Sequence, residues 1–327
     1  MEVPVAVVGC GRWGRNHARN LADLGALELV CDPDPGAEVP AGVRRTDRFE
    51  DVLADPDVRA VVLATPASMH ATMGLALIEA GKDVLIEKPL ALSYEKGRRL
   101  VDAAESAGAV LMVGHILEYH PAVEALRDLV AGDELGELRY LYSNRLNLGT
   151  VRTVENILWS FAPHDVAVMN ALVGAEPVEV SAAGGAYLQE GIADVTVTNF
   201  LYPDGVRAHV FVSWLHPFKE HRLVVVGDRK MAVFADTEPD ETLRIYDRGV
   251  DVRDGVPIAR DASEVTIDVP NAEPMRAELL HFLSCVVERT PPRTGGERGL
   301  SVLRVLEACQ RSLDEGGRVV ALEEVRA

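Results

Sequence analysis

Cysteine is scarce in this chain of 327 residues and positive charge is in deficit, and each shortage excludes a class of function. The four cysteines, Cys10, Cys31, Cys285 and Cys309, form no C-x-x-C pair, so neither a zinc ribbon nor a thioredoxin-like dithiol is present and no metal is expected. Cys10 and Cys31 lie beside apolar runs, where small sulfur side chains usually pack. Lys and Arg number 33 against 51 Asp and Glu, a net charge of −18. That field repels a long phosphate backbone or an anionic membrane, so a general nucleic-acid binder is excluded. A small anion held by a local arginine cluster is still allowed. No apolar run approaches the roughly 18 residues a bilayer crossing needs. The N-terminus opens directly into MEVPVAVVG, without a basic leader or cleavage pattern, so a cytoplasmic location is expected. Apolar residues at 48% are enough for a sizeable core, and the length suits two domains.

The first 120 residues alternate apolar β-rich runs (3–9, 27–32, 60–65, 83–89 and 109–115) with helical stretches (13–24, 48–54, 67–80 and 93–107). Strands this continuous in Val, Leu, Ile and Ala are covered on both faces, which predicts a Rossmann-type, doubly wound parallel sheet. Gly25, Gly81 and Gly108 stand where helix C-terminal caps belong. After His120-Pro121 the rhythm changes. An amphipathic helix, a strand near 137–147 and a helix near 152–173 precede several alternating strands, with Pro203-Asp204-Gly205 and Gly227-Asp228 as hairpin signals. Helices return at about 275–289 and 297–314. The expected organisation is an α/β chain with residues 1–120 as a dinucleotide-binding domain. Residues 121–327 then form an α+β domain with a mostly antiparallel open sheet.

Gly9-Cys10-Gly11-Arg12-Trp13-Gly14 is G-x-G-x-x-G directly after a strand and opening a helix. The first glycine makes the turn, the second admits a pyrophosphate to the backbone, and the third lets helix and strand pack closely. The phosphates would then meet unpaired N–H groups at the positive helix end. Asp32, closing the next strand, is placed to accept hydrogen bonds from a ribose diol. A 2′-phosphate would be repelled there, and Pro33 and Asp34 bring no cation, so NAD is expected over NADP.

Glu87-Lys88-Pro89 ends an apolar strand, and ligands of doubly wound sheets bind beyond the carboxyl ends of strands. A lysine there is unusual as packing. Thr65-Pro66 closes a neighbouring strand, and the Lys88-Pro89 bond is open to either isomer, trans being usual. Of nine histidines, His164 stands out, because Pro163 and His164 interrupt a helical pattern and Asp165 is placed to cap a new helix. His17, His70, His115 and His120 serve equally well as caps or as partners of local carbonyls.

The glycine loop, Asp32, Thr65-Pro66, Glu87-Lys88-Pro89 and the antiparallel second domain together resemble the Gfo/Idh/MocA oxidoreductases over essentially the whole chain. The resemblance implies that Lys88 is catalytic and that His164 is the acid/base. Relatives often carry Asp four residues before that histidine, where Ser160 stands here, so Lys88 and His164 would act without an Asp relay. Asn144-Arg145-Leu146-Asn147-Leu148-Gly149, Arg152, Asn156, Leu158-Trp159 and Ala162-Pro163-His164-Asp165 resemble the branch acting on nucleotide-linked amino sugars, the UDP-N-acetylglucosamine and UDP-N-acetylglucosaminuronate 3-dehydrogenases. Relatives often have Arg where Glu118 stands, and its replacement by an acid favours a neutral sugar.

The expected cofactor contacts are therefore Gly9, Gly11, Arg12, Trp13, Gly14, Asp32, Thr65, Pro66, Glu87 and Lys88, with NAD as the cofactor. The expected substrate contacts are Tyr119, Arg145, Asn147, Trp159 and His164, with Arg152, Lys219 and Arg222 as further cations for a diphosphate. The reaction expected is reversible hydride transfer at C3 of a UDP-linked hexosamine. The rivals are an NAD(P)H-dependent 3-ketoreductase of a TDP-sugar and a non-catalytic NAD-binding sensor or partner subunit. The apolar strands VFVSWL and LVVVGD predict a sheet face that a second copy covers, and the resemblance implies a homodimer or homotetramer through that sheet.

Overall fold

A computed structural model describes residues 3–238, 242–260 and 263–325. It divides into two units, one made of the residues up to Tyr119 together with Ala272–Leu303, the other of His120–Asn271 and the residues from Arg304.

In the first unit the strands are β1 (Val5–Val8), β2 (Leu27–Cys31), β3 (Arg44–Thr46), β4 (Ala60–Leu63), β5 (Asp83–Glu87) and β6 (Leu111–Gly114). All pair in parallel, in the order β3-β2-β1-β4-β5-β6. Every residue of β1, β4, β5 and β6 is buried, as near-continuous Val and Leu runs demand. The intervening helices are α1 (Gly14–Asp23), α2 (Phe49–Ala54), α3 (Ala67–Glu79) and α4 (Tyr94–Ala107). Gly108 ends α4 at φ 61°, a left-handed conformation glycine adopts without strain. Strand β3 was not foreseen, because it has three residues, is polar and forms the sheet edge, where no apolar run is required.

The second unit contains α5 (Pro121–Ala131), β7 (Leu138–Leu148), α6 (Ile157–Val173), β8 (Glu179–Gly185), β9 (Val195–Leu201), β10 (Arg207–Ser213), β11 (Leu215–Gly227), β12 (Met231–Ala235), β13 (Leu243–Tyr246), a β14–β15 hairpin (Gly249–Arg253, Val256–Arg260) and β16 (Glu264–Thr266). The chain ends with α7 (Pro274–Glu288), α8 (Gly296–Asp314) and β17 (Val320–Ala321). The large sheet runs β16-β13-β12-β11-β7-β10-β9-β8-β17 and is antiparallel except where β10 pairs β7. Helix α6 packs on one face, over β7, β9 and β10. The opposite face presents Tyr140 and Val197 to solvent and stacks Tyr142 on His209, ring centroids 5.2 Å apart.

Two expectations need correction. Residues 272–303 belong with the first unit, not with a continuous second domain 121–327. Leu279, Phe282, Leu283 and Val286 of α7 share a buried cluster with Val5, Val7, Leu21 and Val30, and the Val113 N–H donates to the Thr294 carbonyl at 2.8 Å. Such long-range cover for a sheet leaves no local trace in sequence. The break at Pro163-His164 is also absent. Helix α6 runs through Pro163, and its N-cap is Asn156, whose side chain accepts from the Trp159 N–H. Thirteen of its 17 residues are buried, and that packing outweighs the lost hydrogen bond at proline.

Candidate active site

Because the strands of the first sheet are parallel, the residues that follow β1, β4 and β5 share one edge. The glycine loop follows β1 there. Gly9 has φ +87°, and a Cβ on it would lie 2.8 Å from the Ala64 carbonyl oxygen; one on Gly14 would collide with the Gly9 carbonyl. Around Gly11 nothing lies within 4 Å of such an atom, so this part of the loop is open to an incoming group. The loop therefore combines forced close packing at its ends with access at its centre, which is what a pyrophosphate on a helix N-terminus requires. Arg12 and Trp13 are exposed beside it.

Asp32 follows β2 and is largely buried. Its Oδ2 accepts from the Cys10 N–H at 2.5 Å and its Oδ1 from the Asp34 N–H at 2.8 Å. The main chain thus fixes the carboxylate next to the loop. Arg45 of β3, unremarked in the sequence, donates to the Asp34 and Pro35 carbonyls. These residues fit a dinucleotide with a free ribose diol.

At the ends of β4 and β5, the His70 ring nitrogens lie 2.9 Å from the Thr65 carbonyl oxygen and 2.8 Å from that of Pro89. The buried Thr65 hydroxyl has no hydrogen-bond partner among the described residues. The Lys88-Pro89 bond is cis. Lys88 is partly buried, whereas Glu87 beside it is buried. Glu87 Oε1 accepts from the Trp13 indole N–H and from His17 Nε2, the latter at 2.7 Å, while Oε2 accepts from the Lys88 main-chain N–H at 3.1 Å. Burial works against this charge, but His17, Lys88 and Trp13 outweigh it and hold the carboxyl below its usual range.

Two further buried groups stand near Glu87, and the sequence did not single out their role. Burial pushes His115 down to about 4, so the ring is neutral near pH 7. Glu278 on α7 is raised well above the usual carboxyl range by burial and then by the charge of Glu87. Neither His115 ring nitrogen and neither Glu278 oxygen has a hydrogen-bond partner among the described residues.

In the second unit, partly buried His164 sits on α6 next to the buried Asp165. Asp165 accepts from Arg145 Nε at 2.8 Å, Arg145 Nη2 at 3.1 Å and the Ser143 hydroxyl at 2.6 Å, a two-pronged pair that anchors this turn of α6 on β7. Arg145 Nη1 also lies 3.4 Å from His221 Nδ1, which in turn faces Asp236 at 3.2 Å. Asn147, further along β7, keeps a buried Oδ1 without a hydrogen-bond partner among the described residues.

Three of the residues expected at the substrate are buried and have partners within the chain. Arg145 is buried and spent on Asp165. Trp159 is buried and donates its indole N–H to Gln310 at 3.1 Å. Tyr119 is buried in the first unit, its hydroxyl 2.9 Å from His281 Nδ1 and 3.2 Å from the Thr294 hydroxyl. Glu118, buried as well, lies 3.7 Å from Arg298.

A family model described as an oxidoreductase family with an NAD-binding Rossmann fold matches residues 3–115, and the C-terminal domain model of the same family matches residues 123–233. The chain belongs to the GFO/IDH/MocA oxidoreductase family. It is 32% identical over 313 residues to a UDP-N-acetylglucosamine 3-dehydrogenase of Acidithiobacillus ferrooxidans, covering 93% of this chain and 95% of that one. A solved structure of the dehydrogenase bearing that name from the same organism superimposes with a TM-score of 0.85 at 29% identity, over 96% of this chain and 98% of the other. A scyllo-inositol 2-dehydrogenase (NAD(+)) of Bacillus subtilis is 29% identical, over 69% of this chain and 72% of its own length. Among the described residues no helix is long and apolar enough to cross a membrane.

Proposed function

We propose that this oxidoreductase is an NAD-dependent dehydrogenase acting reversibly at C3 of a nucleotide-linked amino sugar of the UDP-N-acetylglucosamine type. The observation that carries the reading is Lys88, a cation held directly beyond β5 on the edge that also bears the glycine loop. The likeness to UDP-N-acetylglucosamine 3-dehydrogenase over most of both chains supports the substrate class. When bound, NAD supplies the hydride acceptor. Lys88 donates a hydrogen bond to the reacting oxygen and stabilises its developing negative charge, and His164 takes the hydroxyl proton. Gly9, Gly11 and Gly14 receive the pyrophosphate and Asp32 the ribose diol. A 2′-phosphate is disfavoured beside Asp32, since Arg45 is already occupied by two carbonyls. The open face around Tyr142, His209 and Val197 is the surface on which a second copy would pack.

The test is NADH formation from NAD⁺ with a panel of UDP- and TDP-sugars, hydroxylamine being present to trap the ketone. A rise with UDP-N-acetylglucosamine that disappears in Lys88→Ala supports the reading. A flat trace with every UDP-sugar, alongside NADH consumption with a 3-keto sugar on a TDP carrier, overturns it in favour of a ketoreductase.

A further inference from the structure

Glu87 joins three separate parts of the first unit through two oxygens. Trp13 belongs to the glycine loop, His17 lies one turn into α1, and the Lys88 N–H opens the segment after β5. His17 is fully buried, so its ring was placed there at the cost of its hydration. An ionised carboxylate only accepts hydrogen bonds, so the ring nitrogen 2.7 Å from Oε1 is a donor. Space for the carboxylate is reserved on its other side, since a Cβ on Gly114 would lie 3.1 Å from Glu87 Cδ. Of the buried groups beside it, burial pushes His115 down to about 4 and, with the charge of Glu87, raises Glu278 well above the usual carboxyl range.

We propose that His17 is a positioning residue for Lys88, acting through Glu87. By holding Oε1, His17 fixes the carboxylate so that Oε2 receives the Lys88 main-chain N–H, and the direction in which the ammonium leaves the strand is set. Glu87 is then a joint between the phosphate loop and Lys88, not a ligand of the cofactor. This inference rests on the reading of Lys88 given above.

The experiment uses the full chain and compares His17→Leu, His17→Gln, Glu87→Gln and Lys88→Ala. With NAD⁺ and UDP-N-acetylglucosamine, His17→Leu should lower kcat by about 10- to 100-fold, the scale of a misplaced catalytic group. The Kd for NAD⁺, measured by titration, should stay within about twofold, and His17→Gln, which keeps an N–H donor, should recover most of the rate. A second readout needs neither cofactor nor turnover. The chain has only five lysines, so ¹³C-dimethylation gives a Lys88 resonance assignable with Lys88→Arg. Its titration midpoint and line width should move in His17→Leu and in Glu87→Gln, and not in His17→Gln. An unchanged Lys88 resonance in both His17→Leu and Glu87→Gln overturns the proposal, as does a rise in the Kd for NAD⁺ at constant kcat, which would make Glu87 a cofactor ligand. If His17→Leu does not fold, Glu87→Gln gives the same decision. Activity surviving in Lys88→Ala would instead remove the underlying reading of the lysine. An inactive Lys88→Ala beside a normal His17→Leu would remove the inference alone.

Discussion

Each unit buries a carboxylate next to a residue assigned to chemistry, and the two are held differently. Glu87 beside Lys88 is met by an indole, an imidazole and a main-chain N–H that come from three separate segments. Asp165 beside His164 is met by a guanidinium and a hydroxyl that come from one strand, β7. The first arrangement is a joint, in which one charge sets the relation between parts that must agree in position. The second is an anchor, in which a helix is fastened to a sheet. A joint should reveal itself in rates and an anchor in stability.

The largest effects belong to the residues the two carboxylates flank. Lys88→Ala and His164→Ala should each lower turnover by roughly 10²–10⁴, with melting temperature and NAD⁺ affinity near normal. A near-normal rate in either variant would strike that residue from the mechanism. Next comes the anchor: Arg145→Leu leaves Asp165 buried without its cation and should cost about 3–5 kcal/mol in urea unfolding. Arg145→Leu combined with Asp165→Leu should recover much of that loss, because the uncompensated charge goes too. A loss confined to turnover in Arg145→Leu would make the anchor a joint after all. Gly11→Ala should leave the melting temperature unchanged, given the open space around it, while NAD⁺ binding weakens about tenfold or more.

The smallest effect separates two glutamates of the same unit. Glu278 keeps its proton to higher pH in the folded chain than in the unfolded chain, so it subtracts stability as pH climbs above the ordinary carboxyl range. Glu278→Met should therefore raise stability on the order of 1 kcal/mol near pH 8, with the gain shrinking toward about pH 4. Glu87 has the opposite sign, because its folded form is ionised at lower pH than usual. Its contribution is present above the ordinary carboxyl range and is lost as pH falls through the depressed value. Thermal melts of Glu278→Met and Glu87→Met across that range check the contrast.

Much of the first unit was legible because its signals are local. Gly9, Gly11, Gly14 and Asp32 are fixed by spacing around one strand–helix turn, and Lys88 by the end of an apolar run. His17 was visible one turn after Gly14, but its partner Glu87 lies 70 residues further on and nothing in the spacing joins them. The second unit was less legible at its site. Arg145 and Trp159 read as substrate contacts because a cation suits a diphosphate and an aromatic suits a sugar or base, and only tertiary structure shows their partners Asp165 and Gln310. Pro163 misled for a related reason, since propensity predicts a break that burial overrides.

The first unit borrows α7 from the far end of the chain, and this sets an order of events during synthesis. When Tyr119 leaves the ribosome, Val5, Val7, Leu21 and Val30 have no Leu279, Phe282 or Leu283 to close over them for about another 160 residues of translation. A nascent chain halted after Tyr119 should therefore be sticky, prone to chaperones and proteases, and unable to mature until its last quarter has emerged.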